Sequence, residues 1–364
     1  MSAHIITKEQ IKQILDAWYQ SMLQQQVEKA KQFKQEIEDK LSSIKEDENL
    51  LLYYSLLNFR YKVLTGGLNI TKDNFNEINS FDIPDNSFLS YYYHFFKAIH
   101  STILAQYNEA GEHFEKAEKL LMYVPTELEK AEFNYRLAAF YYQIYKPLPS
   151  ISYASKAKDF FSKTNSYDIN IALCENVLGL TCIQIRQFEQ AEEHLNKAID
   201  IVKKIDNTEL LLRIRNNLGW LYANQNLSDL AIRHLSEVIE HLPNHYKAMF
   251  LQAREHYKLG ERNKANTLIE KGLAACTKIE NKEYVHRFNI LKAMNNGSDS
   301  LTLESVVLEG ISYFEAEGLT RCVQEYTEIL ATMFYKKENE KKASKYFYMS
   351  NEARKKYEEK GALV

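Results

Sequence analysis

The sequence predicts an all-α protein: an N-terminal three-helix bundle followed by a superhelical solenoid of stacked helix pairs. Three observations carry that expectation. Gly and Pro together number 16 in 364 residues, a composition for long helices with short connections. Small residues recur on a beat, Ala98, Ala138, Gly179, Gly219 and Ala253, at separations of 40, 41, 40 and 34 residues. Twelve positions after each come Ala110, Ser150, Ala191, Ala231 and Ala265, and nineteen after come Ala117, Ala157, Ala198, Val238 and Gly272. Between them, at sixteen, lie Phe114, Ala154, Leu195, Leu235 and Ile269. A small residue on one helix facing two on the next, with a bulky one between, lets paired helices close-pack and stack as repeats. Finally, the first 65 residues lack this beat and carry three apolar stripes at helical spacing instead.

The first helix is announced by Thr7 and Gln10, a capping-box pair, and carries Ile11, Ile14, Leu15, Trp18 and Met22 on one stripe. A second begins around Gln24 to Val27, with Ala30, Phe33, Ile37 and Leu41 on its buried face. A third runs from about Asp47 through Leu51, Tyr54, Leu57 and Val63 and stops at Gly66-Gly67. Residues 66–87 dilute the apolar pattern with Gly, Asn, Asp and Pro and read as a linker with room for a short helix. The repeat array then occupies 88–364. Thr126 with Glu129, just after Pro125, caps one of its helices. The pair around 283–316 is degenerate and interrupted by Asn295-Asn296-Gly297-Ser298, and the beat returns with Ala331, Ala343, Phe347 and Ser350. A HEAT-type array has a similar period, but the segment NNLGWLY (216–222) favours the tetratricopeptide pattern.

Composition excludes several function classes. A formal net charge of -3 gives no electrostatic reason to expect nucleic acid, and residues 1–65 balance nine Lys/Arg against nine Asp/Glu. Cys174, Cys182, Cys276 and Cys322 are scattered without ligand spacing and read as small apolar residues in a reducing compartment. His241 and His245 are four apart, but the intervening Pro243 argues against a helical metal site. No phosphate-binding loop or nucleophile elbow occurs, so no metal or cofactor is expected. No apolar run reaches the length of a membrane span and no signal peptide is evident, which points to a soluble cytoplasmic protein.

On the first helix of each repeat, the positions six before, two before, one after and five after the small residue share the face that lines the inner wall. They are Glu132, Arg136, Ala139 and Gln143, then Leu173, Val177, Leu180 and Gln184. The fourth and fifth repeats give Arg213, Asn217, Trp220 and Asn224, and Lys247, Leu251, Arg254 and Lys258. An Asn carboxamide there can donate to and accept from a peptide backbone whatever its side chains. The Arg and Lys side chains attract a carboxylate. Val177 and its apolar neighbours are either pockets or packing between repeats.

The segment KEDENLLLYYSLLNFRYKVL (45–64) resembles a signature of the Rap family of Gram-positive bacteria. YYYHFFKAIH (91–100), ELEKAEFNYRLAAFYYQIY (127–145) and RNNLGWLY (215–222) extend the resemblance over nearly the whole chain. It implies a bundle (1–65) that binds a response regulator of a sporulation or competence pathway, a linker, and a repeat domain that binds a short Phr peptide. Some members hydrolyse the regulator's aspartyl phosphate, and others sequester a DNA-binding regulator. The resemblance puts the family's peptide-holding Asn on Asn217 and its acidic partner for a basic peptide residue on Gln184. With Arg136, Arg213, Lys247 and Arg254 nearby, the expected peptide is neutral or acidic where others are basic. It further implies regulator contacts at Glu46, Asp47, Leu51 and Phe59, the last two being equally well bundle core. The family's catalytic Gln falls on Glu48, so a protein aspartate phosphatase is expected only if Glu48 serves as a base or Asn49 supplies the carboxamide. A peptide-driven movement of residues 66–87 is the expected route of control.

Overall fold

The computed structural model describes residues 7–40, 47–66, 70–124 and 126–362, with side chains as far as 356. Among the described residues all regular structure is helical, as the composition and the beat predict. The chain divides into two compact units, residues 1–137 with 156–171, and 138–155 with 172–364.

The first unit starts with α1 (Lys8–Leu23), α2 (Val27–Glu38) and α3 (Glu48–Gly66), packed on one another as a three-helix bundle. Thr7 and Gln10 form the expected capping box on α1, and Ile11, Leu15, Trp18 and Met22 are buried. On α2, Ala30 and Ile37 are buried and Phe33 is half-buried, while Leu41 lies outside the described residues. The third helix departs from its predicted single stripe. Leu51 and Tyr54 are only half-buried, whereas Leu52, Tyr53, Leu56, Phe59 and Arg60 are buried as well. The cause is that α3 also packs on α4 (Phe88–Ile103), so more than one face meets protein.

Residues 70–87, expected as a linker, form 3-10 turns at Lys72–Phe75 and Ile78–Ser80. Phe75 is buried beside Phe59 (ring centroids 5.0 Å) and His100 (5.3 Å). His100 Nε2 lies 3.0 Å from the Thr71 carbonyl, and the Ser55 hydroxyl donates to Glu77 Oε1 at 3.1 Å. The unit continues through α4 and α5 (Tyr107–Lys119) into the start of α6 (Glu127–Gln143) and the end of α7 (Pro147–Ser162). One buried ion pair joins its elements: Arg60 Nη2 on α3 meets Glu132 Oε1 on α6 at 3.0 Å.

The second unit holds the remainder of α6 and α7, most of α8 (Asp168–Gln184), and α9 (Phe188–Lys204), α10 (Thr208–Asn224) and α11 (Ser228–His241). It goes on through α12 (Tyr246–Lys258), α13 (Arg262–Lys278), α14 (Lys282–Asn295), α15 (Ser300–Ala316), α16 (Thr320–Lys336) and α17 (Glu340–Ala362). Consecutive helices pack as pairs, and the first helices of adjacent pairs also touch. The small residues of the beat sit at these contacts. Leu195 Cγ would lie 2.8 Å from a Cβ at Gly179, and Leu235 Cγ 2.7 Å from one at Gly219. Ser150 takes the small position in its pair and donates to the Ala138 carbonyl at 3.0 Å. His245, set aside as a metal ligand, caps α12 by accepting the Ala248 N–H at 3.1 Å, and burial pulls its pKa down to about 4.

In the last pair the register shifts. Phe347, on the predicted bulky position, is 46% exposed. Tyr346 fills the space instead, stacked on Phe334 at 5.8 Å with its hydroxyl bonded to Glu304, because that bond satisfies a buried O–H.

Gly272 is the tightest of these contacts, since a Cβ there would lie 2.1 Å from Phe288 Cζ. Phe288 is fully buried and cannot swing into open space. Gly272→Val is therefore expected to destabilise the protein by about 1–3 kcal/mol, the ordinary cost of overpacking. A fall in the denaturation midpoint would show it, and an unchanged midpoint would mean that the helix pair can spread freely.

Candidate functional site

A cavity lies within the second unit, walled by the first helix of five successive pairs. The end of α6 supplies Tyr142 and Gln143, the turn after it Tyr145, and α8 supplies Leu180 and Gln184. From α10 come Asn216, Asn217 and Trp220, from α12 Lys247, Phe250, Leu251 and Arg254, and from α14 Glu283, Tyr284 and Arg287. The helical period explains the grouping, since residues three or four apart share a face and the pairs stack in sequence.

Carboxamides dominate one side. Asn217 donates through Nδ2 to Asn176 Oδ1 at 2.6 Å and accepts at Oδ1 from Asn216 Nδ2 at 3.1 Å. Gln184 donates to the Tyr142 carbonyl at 2.8 Å. Two acceptors remain buried with no protein partner, Gln184 Oε1 and Asn216 Oδ1. Leaving such oxygens unmade costs about 1–3 kcal/mol each, which a ligand N–H would recover. Trp220 and Tyr142 supply an aromatic corner, their ring centroids 6.3 Å apart.

The opposite side is cationic. Lys247 Nζ and the Arg287 guanidinium flank the Tyr284 ring, at 5.7 and 5.4 Å from its centroid. Arg287 Nη2 reaches Glu283 Oε1 at 2.8 Å, the Tyr145 hydroxyl at 3.2 Å and Cys322 Sγ at 3.0 Å. Burial pushes the Cys322 thiol up to about 12, so it stays neutral and does not balance that charge. Burial lowers the Lys247 pKa, with Glu283 opposing and Arg287 adding to the shift. Arg254 leans on the buried Glu255, Nε to Oε1 at 3.4 Å. The lining itself carries Lys247, Arg254 and Arg287 against Glu283, three cations to one carboxylate, leaving an excess of two positive charges.

Of the wall residues expected from sequence, Gln143, Leu180, Gln184, Asn217, Trp220, Lys247, Leu251 and Arg254 come together here. The others do not line the cavity. Arg213 is held by Glu209, Asn224 is exposed and donates to the Trp220 carbonyl at 2.8 Å, and Val177 is buried packing. Arg136 belongs to the first unit, where its Nε meets Glu132 at 2.8 Å. Sequence spacing missed Tyr142, Tyr145, Asn216, Phe250, Glu283, Tyr284 and Arg287. A signal existed for one of them: carrying the 40-residue beat from Ala253 to Ala293 places Arg287 six positions before the small residue.

In the first unit the candidate regulator-facing residues gather at the start of α3. Asp47 caps it, accepting the Leu50 N–H at 3.1 Å and pairing with Lys8 at 2.7 Å; these contacts, Lys8 foremost, hold its carboxyl below the usual range. Glu48 and Asn49 are exposed on the first turn, Leu51 is half-buried, and Glu46 lies outside the described residues. Phe59 is 1% exposed, in ring contact with Phe75 and His100. It is core, because the 3-10 turns of residues 70–87 cover it.

Comparison with known proteins bears on both regions. Residues 5–66 match the family model described as response regulator aspartate phosphatase H, N terminal, and residues 168–244 match a tetratricopeptide repeat model. The regulatory protein RapF of Bacillus subtilis (strain 168) is 26% identical over 371 residues, covering 96% of each chain. Response regulator aspartate phosphatase I of the same organism is 27% identical over 365 residues, covering 96% of this chain and 92% of its own. A crystal structure of a Rap protein complexed with competence and sporulation factor superimposes with a TM-score of 0.83 at 24% identity, over 97% of this chain and 100% of that one.

Proposed function

The chain belongs to the Rap family, and from that membership we propose that it is a peptide-controlled regulator of a phosphorylated response regulator. In this reading residues 1–65 meet the response regulator, residues 66–87 connect, and residues 88–364 hold a short Phr-type peptide. The peptide lies in the cavity of the second unit and controls the encounter. Two unpartnered carboxamide oxygens, Gln184 Oε1 and Asn216 Oδ1, carry the peptide half of the proposal, set beside an Asn217 already oriented by its neighbours. Such groups suit a peptide backbone, and the positive excess of the lining suits an acidic side chain or a terminal carboxylate.

Replacing Asn217 by Ala is expected to weaken peptide binding by about 1–3 kcal/mol, as one member of an amide chain is lost. Fluorescence anisotropy with labelled short peptides that differ in the charge of one central residue reads both affinity and preference. Neutral or acidic peptides should bind more tightly than basic ones, because Gln184 offers no charge to a cation. A strong preference for a central Arg or Lys would remove the basis for this assignment.

For the other half, the match over residues 5–66 supports regulator binding through α1–α3 and supports hydrolysis of its aspartyl phosphate as the activity. Glu48 favours a second reading that keeps the partners and drops the chemistry. An exposed carboxylate on the first turn of α3 repels a phosphoryl group, so the protein would sequester its target rather than dephosphorylate it.

A further inference from the structure

A second cavity lies wholly within the first unit and is independent of the peptide site. Asp16 and Tyr19 of α1, Tyr53 of α3, Phe88 and Tyr92 of α4 and Glu129 of α6 line it. We propose that this cavity binds an aliphatic primary ammonium group, carried either by a free amine or by a lysine side chain.

Tyr53 and Tyr92 stack with parallel rings 5.7 Å apart, and Phe88 stands edge-on to both, at 5.5 and 5.9 Å. Their hydroxyl protons are committed: Tyr53 donates to Asp16 Oδ1 at 2.8 Å and Tyr92 to Glu129 Oε2 at 2.6 Å. The Thr126 hydroxyl donates to Glu129 Oε1 at 3.2 Å. What these groups leave for a ligand is ring faces and carboxylate lone pairs, a surface rich in acceptors, with Lys12 and Gln20 as donors on the wall. Tyr19 adds a buried hydroxyl that has no hydrogen-bond partner, although its side chain is 1% exposed. A group arriving with N–H donors and a positive charge suits the ring faces and the carboxylates and can donate to the Tyr19 oxygen, whereas both carboxylates and the ring faces repel an anion.

The protein already displays the contact. Lys12, on the cavity wall, places its ammonium 5.7 Å from the Phe88 centroid. Asp16 is exposed and marks the mouth, while Glu129 is buried at the inner end. Burial pushes the Glu129 carboxyl up, and an incoming cation would draw it back towards the ionised form.

The test uses the full chain and four probes: n-pentylammonium, its neutral counterpart 1-pentanol, and N-acetyl amides of lysine and of norleucine. Isothermal titration should show saturable binding of an ammonium probe and none of its neutral partner. Asp16→Asn, at an exposed site where the amide oxygen can still accept from Tyr53, should weaken that binding by about tenfold or more. Glu129→Gln should do the same, with the circular dichroism of both variants matching the parent. Stronger binding of pentylammonium than of the lysine amide would identify a free amine as the occupant, and the reverse order a lysine side chain. Equal binding of pentanol, undiminished binding in Asp16→Asn, or no saturable binding of either ammonium probe would overturn the proposal.

Discussion

Glu132→Ala is expected to destabilise the first unit by about 3–5 kcal/mol, the usual cost of stranding one partner of a buried ion pair. Arg60 and Glu132 are both 0% exposed, and Glu132 Oε1 holds Arg60 Nη2 at 3.0 Å and Arg136 Nε at 2.8 Å. Burial already pulls the Arg60 pKa down, Arg136 lowers it further, and Glu132 is the neighbour that supports the charge. Removing that carboxylate leaves a guanidinium in a dry interior, beside a second cation that reaches solvent only partly. The loss is a large share of the about 5–15 kcal/mol that a folded domain has in total. Replacing Arg60 by Met and Glu132 by Leu together should recover the part due to Arg60, leaving only the partly exposed Arg136 without its carboxylate. Urea denaturation of the parent and the two variants gives the comparison through midpoint and slope. A loss below about 1 kcal/mol in Glu132→Ala would show that water replaces the carboxylate. The pair also ties α3 to α6, so its loss should disturb the helix that presents Glu48.

Glu48→Gln is expected to raise the rate of phosphate loss from a bound, phosphorylated response regulator by two to three powers of ten. A carboxylate about 4 Å from a phosphoryl oxygen is repelled by about 4 kcal/mol at an effective dielectric near 20. Each 1.36 kcal/mol removed from the barrier is about tenfold in rate. A Gln carboxamide at the same place lacks that charge and can hold the attacking water by donating and accepting. The substitution isolates the chemistry, because Glu48 is exposed and surface changes alter stability by only about 0.5 kcal/mol. The measurement is the decay of phosphorylated regulator with parent, Glu48→Gln and Asn49→Ala proteins. Hydrolysis by the Gln variant alone would mean that the parent acts by sequestration. A parent that hydrolyses quickly and a slower Gln variant would instead make Glu48 the base.

Much of the helical frame was legible because close approach of two helices constrains single residues. Gly219 and Leu235 occupy one contact, so the beat that contains them reads directly as packing. Asn217 could be placed on the inner face from its offset to Gly219, and the structure puts it in the cavity wall. The reading failed where a polar bond competed with the pattern. Tyr346 displaced Phe347 from the last pair because its hydroxyl found Glu304. Arg136 has the right offset for the wall but is bound to Glu132, a choice that spacing along one helix does not reveal. Phe59 offered two readings from sequence, and the cover of Phe75 decided for the core.

The amino-acid sequence by itself determined the pairing of helices, the capping of α1 and the face of each repeat that carries Asn217 and its neighbours. Those are consequences of local geometry, in which a missing side chain or a period of 3.6 residues acts over a few turns. Only the tertiary structure decided that Gln184 and Asn216 keep unpartnered oxygens, and that Arg287 joins the cavity from a repeat whose pattern had decayed. It also decided that tyrosines of α3 and α4 give their protons to carboxylates of α1 and α6. Hydrogen-bond partners and charge neighbours are selected by distance through space, and positions from 37 to 142 residues apart become adjacent only once the helices have packed.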